Sequence, residues 1–203
     1  MLVLRFVLMN IVAAGFLAAV YLQGWLDDAL QGYTTWLTLG ICAVFVFGLL
    51  LCARRIWHTS HELNAVAQDE PPSLSRAGKY LASIAGRSAD SRAISANLLR
   101  NRLGNPIVVV RQTADSLVFL GLVGTVIGFI VALSGIDPQS STQVDEVASM
   151  VSTLVAGMSI ALYTTLVGAV LHVWLMINHR LLATGTSNLF SAIVELGEQR
   201  VGV

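Results

Sequence analysis

Apolar positions along the chain gather into four long runs separated by polar links. Residues 2–23 form the first run, interrupted only by Arg5 and Asn10. Residues 35–53 form the second, closed by Arg54-Arg55. The third and fourth, residues 116–136 and 147–177, are joined by the short link 137–146. A transmembrane helix needs about 20 mostly apolar residues, and each run approaches or exceeds that length. The pattern therefore predicts an all-α integral membrane protein with four transmembrane helices. The first run competes with a secretory signal, because a basic residue precedes an apolar core. Its core is longer than a usual signal core, and no clear small-x-small cleavage site precedes Trp25. A retained helix is expected, with Arg5 reaching the near interface.

Between the second and third runs the signals change. Pro71-Pro72 breaks the chain, and Ser73 or Ser75 can cap a helix that ends near Gly86. Ser88 or Asp90 can cap a second helix ending near Gly104. Asn105-Pro106 then reads as the start of a third transmembrane helix of about 30 residues, roughly 45 Å at 1.5 Å per residue. That length exceeds the hydrocarbon core, so its first turns are expected in the cytoplasm. Ser140-x-x-Gln143 or Thr142-x-x-Asp145 offers a capping box for the fourth helix. Leu182, Leu189, Ile193 and Leu196 continue its spacing into an amphipathic tail, which Gly185 could kink. Four segments follow: 1–56, a lipid-facing shell of two spans; 57–105, a short cytoplasmic helical insert; 106–180, the third and fourth helices; and 181–203, a cytoplasmic tail.

Composition agrees with the pattern. Hydrophobic residues make up 55% of the chain and charged residues only 12%, with a mean hydropathy of +0.73. The segment 54–111 holds Arg54, Arg55, Arg76, Lys79, Arg87, Arg92, Arg100, Arg102 and Arg111. The links 24–34 and 137–146 hold no basic residue. The positive-inside rule places 54–111 in the cytoplasm and gives an N-in, C-in topology. Trp25 and Trp36 flank the outer link, while Trp57 and Trp174 fall at expected cytoplasmic ends, where indole rings prefer to sit.

The same composition excludes several functions. Net charge is zero, and no basic cluster interleaves with aromatics, so nucleic acid is not an expected partner. Cys42 and Cys52 share one helix and cannot pair within it. His58 and His61 stand at i,i+3 without a further ligand, and no metal or cofactor is expected. No Ser, His and Asp arrangement suggests hydrolysis, so the chain does not read as an enzyme.

Chemistry is expected in the third and fourth helices. Their small and hydroxylated residues include Gly121, Gly124, Thr125 and Gly128 on one, and Gly157, Ser159, Ala161, Thr165 and Gly168 on the other. A plain lipid anchor needs none of these; close packing or a polar path would use them. Thr125 and Thr165 both fall near mid-span, at similar depth on antiparallel helices. Such a hydroxyl could face a water or a carboxyl group, or bond only its own helix. His172 lies seven residues beyond Thr165, either as a proton relay or as an interfacial side chain. Asp115 lies one helical turn from Arg111, which suggests a cytoplasmic ion pair.

Two stretches resemble a known family. Leu120-Gly-Leu-Val-Gly-Thr-Val-Ile-Gly128 resembles the LGLxGTVxG signature of the MotA/TolQ/ExbB proton channel family. Ala156-Gly-Met-Ser-Ile-Ala-Leu-Tyr-Thr-Thr-Leu-Val-Gly168 resembles its PGIAEALxATxxG segment, with Ala156 and Ile160 in place of Pro and Glu. The motif wording is nearer TolQ and ExbB, and the four-span layout is nearer MotA. The resemblance implies a bacterial inner-membrane subunit that forms a homopentameric ring. A dimer of an ExbD/TolR/MotB-like single-span partner would sit inside it and supply a transmembrane aspartate. Thr125 and Thr165 would match the pore threonines, with Ser159 and His172 further along the proton path. Gly121, Gly124, Gly128, Gly157, Ala161 and Gly168 would allow close packing at the pore. Proton flow would drive a rotary motor acting on an envelope or other load. The competing expectations are a scaffold that only packs helices, and a lone transporter, which the lack of intramembrane charge disfavours.

Overall fold

The computed structural model describes residues 2–22, 35–68, 72, 75–86, 88–135 and 144–201. Five α-helices account for nearly all of them: α1 (Leu2–Leu22), α2 (Thr35–Ala67), α3 (Arg76–Ile84), α4 (Ala89–Ser134) and α5 (Val144–Val201). Four of these, α1, α2, α4 and α5, are long and apolar enough to cross a membrane. The expected capping boxes at 140–145 and the expected outer link at 24–34 lie largely or wholly outside the described residues.

Three helices are longer than their apolar runs. Arg54-Arg55 does not end α2, which continues to Ala67. Arg, His and Glu are helix-compatible residues, and the buried face simply carries on through Cys52, Ile56, Thr59, Glu62 and Val66. The expected helix start at Asn105-Pro106 is also absent: Pro106 lies inside the 46-residue α4. Proline in a helix interior costs about 3 kcal/mol, whereas each fully buried Leu or Val contributes about 1.5–3 kcal/mol. Leu99 and Leu103 before the proline and Val110, Ala114 and Leu117 after it lie on one buried stripe. Packing on both sides thus outweighs the break. Likewise α5 is one 58-residue helix that runs through Arg180 and Gly185. The segment edges expected at 56/57, 105/106 and 180/181 therefore fall inside continuous helices.

The short helix α3 is set by local signals. Ser75 caps it in extended conformation, and its Oγ accepts from the Gly78 N–H at 3.0 Å while donating to the Pro72 carbonyl at 2.6 Å. Just past its end, Gly86 takes φ +69°, a left-handed value that glycine adopts without steric cost.

The contacts divide into two units. The first comprises Met1–Asn10, Leu49–Arg111 and Met176–Val203. Its apolar core joins Val66 of α2, Tyr80 and Ile84 of α3, Leu99 and Leu103 of α4, and Leu189, Ile193 and Leu196 of α5. The tail spacing expected of Leu182, Leu189, Ile193 and Leu196 thus appears as four buried side chains. Arg92 and Glu198 join α4 to α5 in this unit at 3.3 Å. The second unit comprises Ile11–Gly48 and Gln112–Leu175. All 12 basic residues of the chain belong to the first unit and none to the second.

Candidate functional site

In the second unit α4 and α5 pack antiparallel through their smallest residues. Leu117 faces Gly168, Gly121 faces Thr164 and Thr165, Gly128 faces Gly157 and Ala161, and Gly135 faces Thr153. The approach is backbone to backbone. A Cβ on Gly128 would stand 2.6 Å from both Ala161 N and Gly157 O. One on Gly157 would stand 2.5 Å from Gly128 O, and one on Gly168 would stand 2.7 Å from Leu117 O. In lipid, where apolar surface gains nothing by leaving the solvent, such van der Waals contact is what holds helices together. The small-residue faces therefore close on each other, and no open passage runs between them.

This packing sorts the hydroxyls. Gly157, Ala161, Thr164, Gly168, Leu171 and Leu175 recur at alternating spacings of four and three and are all buried. Thr164 is completely buried against Gly124 and donates back to the Ile160 carbonyl at 2.9 Å. Thr165 is exposed at the edge of the pair, and its hydroxyl donates across to the Gly121 carbonyl at 3.3 Å. Its oxygen lone pairs stay available. Thr125 is half-buried and donates to Leu122 O of its own helix at 2.6 Å. It lies one turn from Gly121, so the two threonines differ in depth by about 6 Å or less at 1.5 Å per residue. Ser159 is half-buried on α5.

His172 extends the same edge. Its Nδ1 is 2.8 Å from the Ala114 carbonyl. A carbonyl only accepts, so Nδ1 carries the proton and Nε2 is the basic nitrogen of the neutral ring. Arg111 and Asp115 follow on α4, exposed and half-buried respectively, one helical turn apart. Outward from these groups the surface is apolar, with Phe119, Leu122, Phe129 and Ile130 of α4 and Leu162 and Leu166 of α5 exposed.

Helix α2 supports this pair. A Cβ on Gly48 would reach within 2.6 Å of the Leu175 side chain and 3.0 Å of Thr113. The rings of Phe45 and Trp174 meet at 5.0 Å between centroids.

Two polar features were not anticipated from the sequence. Asn10 of α1 and Asn178 of α5 exchange amide hydrogen bonds in the first unit, at 2.8 and 3.4 Å, with Asn178 fully buried. Glu62 of α2 is also buried, and its Oε2 has no hydrogen-bond partner among the described residues. The signal for the amide pair was present, since each Asn stands within a long apolar helix. No described group of three or more His, Cys, Asp or Glu residues is placed to hold a metal ion.

A comparison with protein-family models places this arrangement. The model of the MotA/TolQ/ExbB proton channel family matches residues 87–195, more than half of the chain. The chain belongs to the MotA/TolQ/ExbB proton channel family. Searches among curated proteins and among solved structures return no match. The matched region covers all of α4 and most of α5, so the family character resides in the packed pair described above. Membership and four membrane-length helices make this a multi-pass membrane protein with a proton-channel role in a membrane complex.

Proposed function

We propose that this MotA/TolQ/ExbB-family chain is the ring-forming stator subunit of a motor driven by the proton-motive force in the bacterial inner membrane. Five copies would surround a dimer of a single-span, ExbD/TolR/MotB-like partner. The observation that carries the reading is the edge formed by Thr125, Thr165 and His172 beside apolar spans free of charge. Residues 116–136 and 147–178 contain no Asp, Glu, Lys or Arg. A path through them needs a titrating group from elsewhere, and an aspartate on a partner helix supplies one. The Thr165 hydroxyl donates its hydrogen bond to Gly121 O, so its oxygen is left to accept from a protonated carboxyl or a water. His172 Nε2 would take the proton at the far end of that edge. Moving one charge through 100 mV releases about 2.3 kcal/mol, which sets the work available per proton.

A scaffold that only packs helices remains the second reading, favoured by the closure of the glycine faces on each other. Thr125→Ala with Thr165→Ala separates the two. The variant and the native chain would each be co-expressed with a single-span partner carrying a transmembrane aspartate. The channel reading expects proton flux to fall at least about tenfold, equivalent to about 1.4 kcal/mol, with oligomer size unchanged. Loss of the oligomer, or an assembly whose output ignores the proton gradient, favours the scaffold.

A further inference from the structure

In the first unit α3 and α4 enclose a cleft of about 320 Å³. Arg76 and Lys79 of α3 and Arg102 of α4 line it, with the buried ring of Tyr80 and the hydroxyls of Ser83 and Ser95. Among the described residues no acidic side chain lines it. None of the three cations makes an ion pair with a described residue. Glu198, whose charge is felt at Tyr80, is held by Arg92 at 3.3 Å. Three cationic residues therefore line one recess.

We propose that this cleft is an anion site for a phosphate group, carried either by a small solute or by a lipid head group. The guanidinium groups of Arg76 on α3 and Arg102 on α4 can each present paired N–H donors to two phosphate oxygens, and Lys79 adds a point charge. The volume is at the lower end of small-molecule sites, enough for a phosphate with a modest organic portion. Ser83 and Ser95 donate their protons to Tyr80 O and Ser91 O, at 2.7 and 3.1 Å. In that state their oxygens only accept, so recognition falls to the three cations and to the Tyr80 hydroxyl. The site lies outside the Thr125–Thr165 edge, and it stands whether or not the channel reading does.

The test uses the full-length protein purified in a non-ionic detergent. Thermal unfolding is followed against sodium phosphate and against sodium chloride at matched ionic strength. Phosphate should raise the midpoint saturably and chloride should not. In Lys79→Gln/Arg102→Gln the apparent affinity for phosphate should weaken at least tenfold, while Lys79→Arg keeps it. These positions are exposed, so the variants fold; Arg200→Gln, outside the cleft, serves as a surface-charge control and should behave as the native chain. In a second arm the protein is placed in nanodiscs of phosphatidylcholine alone or with one-fifth phosphatidic acid. Protection by phosphatidic acid that needs Arg102, without an effect of free phosphate, identifies a lipid head group; the reverse identifies a solute. Equal shifts with phosphate and chloride together with no protection by phosphatidic acid, or equal response of native and variant chains in both arms, overturn the proposal. So does displacement of phosphate by poly-glutamate at lower concentration, which would assign the cleft to an acidic protein segment.

Discussion

Gly128 and Gly157 decide how near α4 and α5 come, because what each faces is backbone. A side chain in the way can rotate; Ala161 N and Gly128 O can move only with their helices. Overpacking usually costs about 1–3 kcal/mol, and an obstacle that cannot rotate should reach the upper end of that range. Gly128→Val is therefore expected to lower the unfolding midpoint in detergent and to reduce proton flux, with Gly128→Ala between it and the native chain. Gly40 gives the contrast: a Cβ there meets nothing within 4 Å. Gly40→Ala should be neutral or stabilise by about 0.5–1 kcal/mol through helix propensity. Equal midpoints for Gly128→Val and Gly40→Ala would show that the close approach does not hold the pair together. The adjacent threonines show how finely this scale divides roles. Thr164 and Thr165 are about 100° apart around the helix. One fills the seam and the other is left at the edge with an accepting oxygen.

At the scale of the elements, α1 buries no described side chain fully, and two of its ties are specific. Asn10 bonds Asn178, and Leu2 approaches Gly185. Side-chain hydrogen bonds between membrane helices contribute about 0.6 kcal/mol on average and up to about 1.7. A double-mutant cycle with Asn10→Leu and Asn178→Leu, read by unfolding in detergent, should give a coupling in that range. Coupling below about 0.3 kcal/mol would mean that the amides do not act as a pair. The elements also show what could be read in advance. All four membrane helices, the Ser75 cap, the turn at Gly86 and the buried tail positions were legible, because each depends on local spacing or on a side chain beside its own helix. Helix continuity through Arg54-Arg55 and through Pro106 was not. There the local signals point to an end, and burial against residues distant in the sequence overrides them. Among the candidate residues the glycines could be found from composition alone. The assignment of Thr164 to the seam needed the phase of the stripe from Gly157 to Leu175, and the pairing of Asn10 with Asn178 spans 168 positions that no local pattern links.

For the whole molecule, charge and contact divide the chain in the same place. The unit containing Leu49–Arg111 and Met176–Val203 holds every Lys and Arg, and the unit with the seam of α4 and α5 holds none. Lys or Arg at the centre of a membrane helix costs about 2.5–3.5 kcal/mol on insertion scales, so a unit that holds none of them is suited to lipid. The positive-inside rule makes an orientation with these 12 basic residues on the cytoplasmic side the expectation to test. Cysteine labelling tests this directly. Cys42 and Cys52 are half-buried and buried, so replacing both with alanine gives a background in which single cysteines can be placed. In intact cells, an impermeant maleimide should label cysteines within 24–34 and 137–143. It should label Lys79→Cys and Arg102→Cys only after the inner membrane is opened. Labelling of Lys79→Cys in intact cells would reverse the topology. The phosphate cleft would then face the periplasm, and His172, nearer the basic end of α5, would lie at the proton entrance.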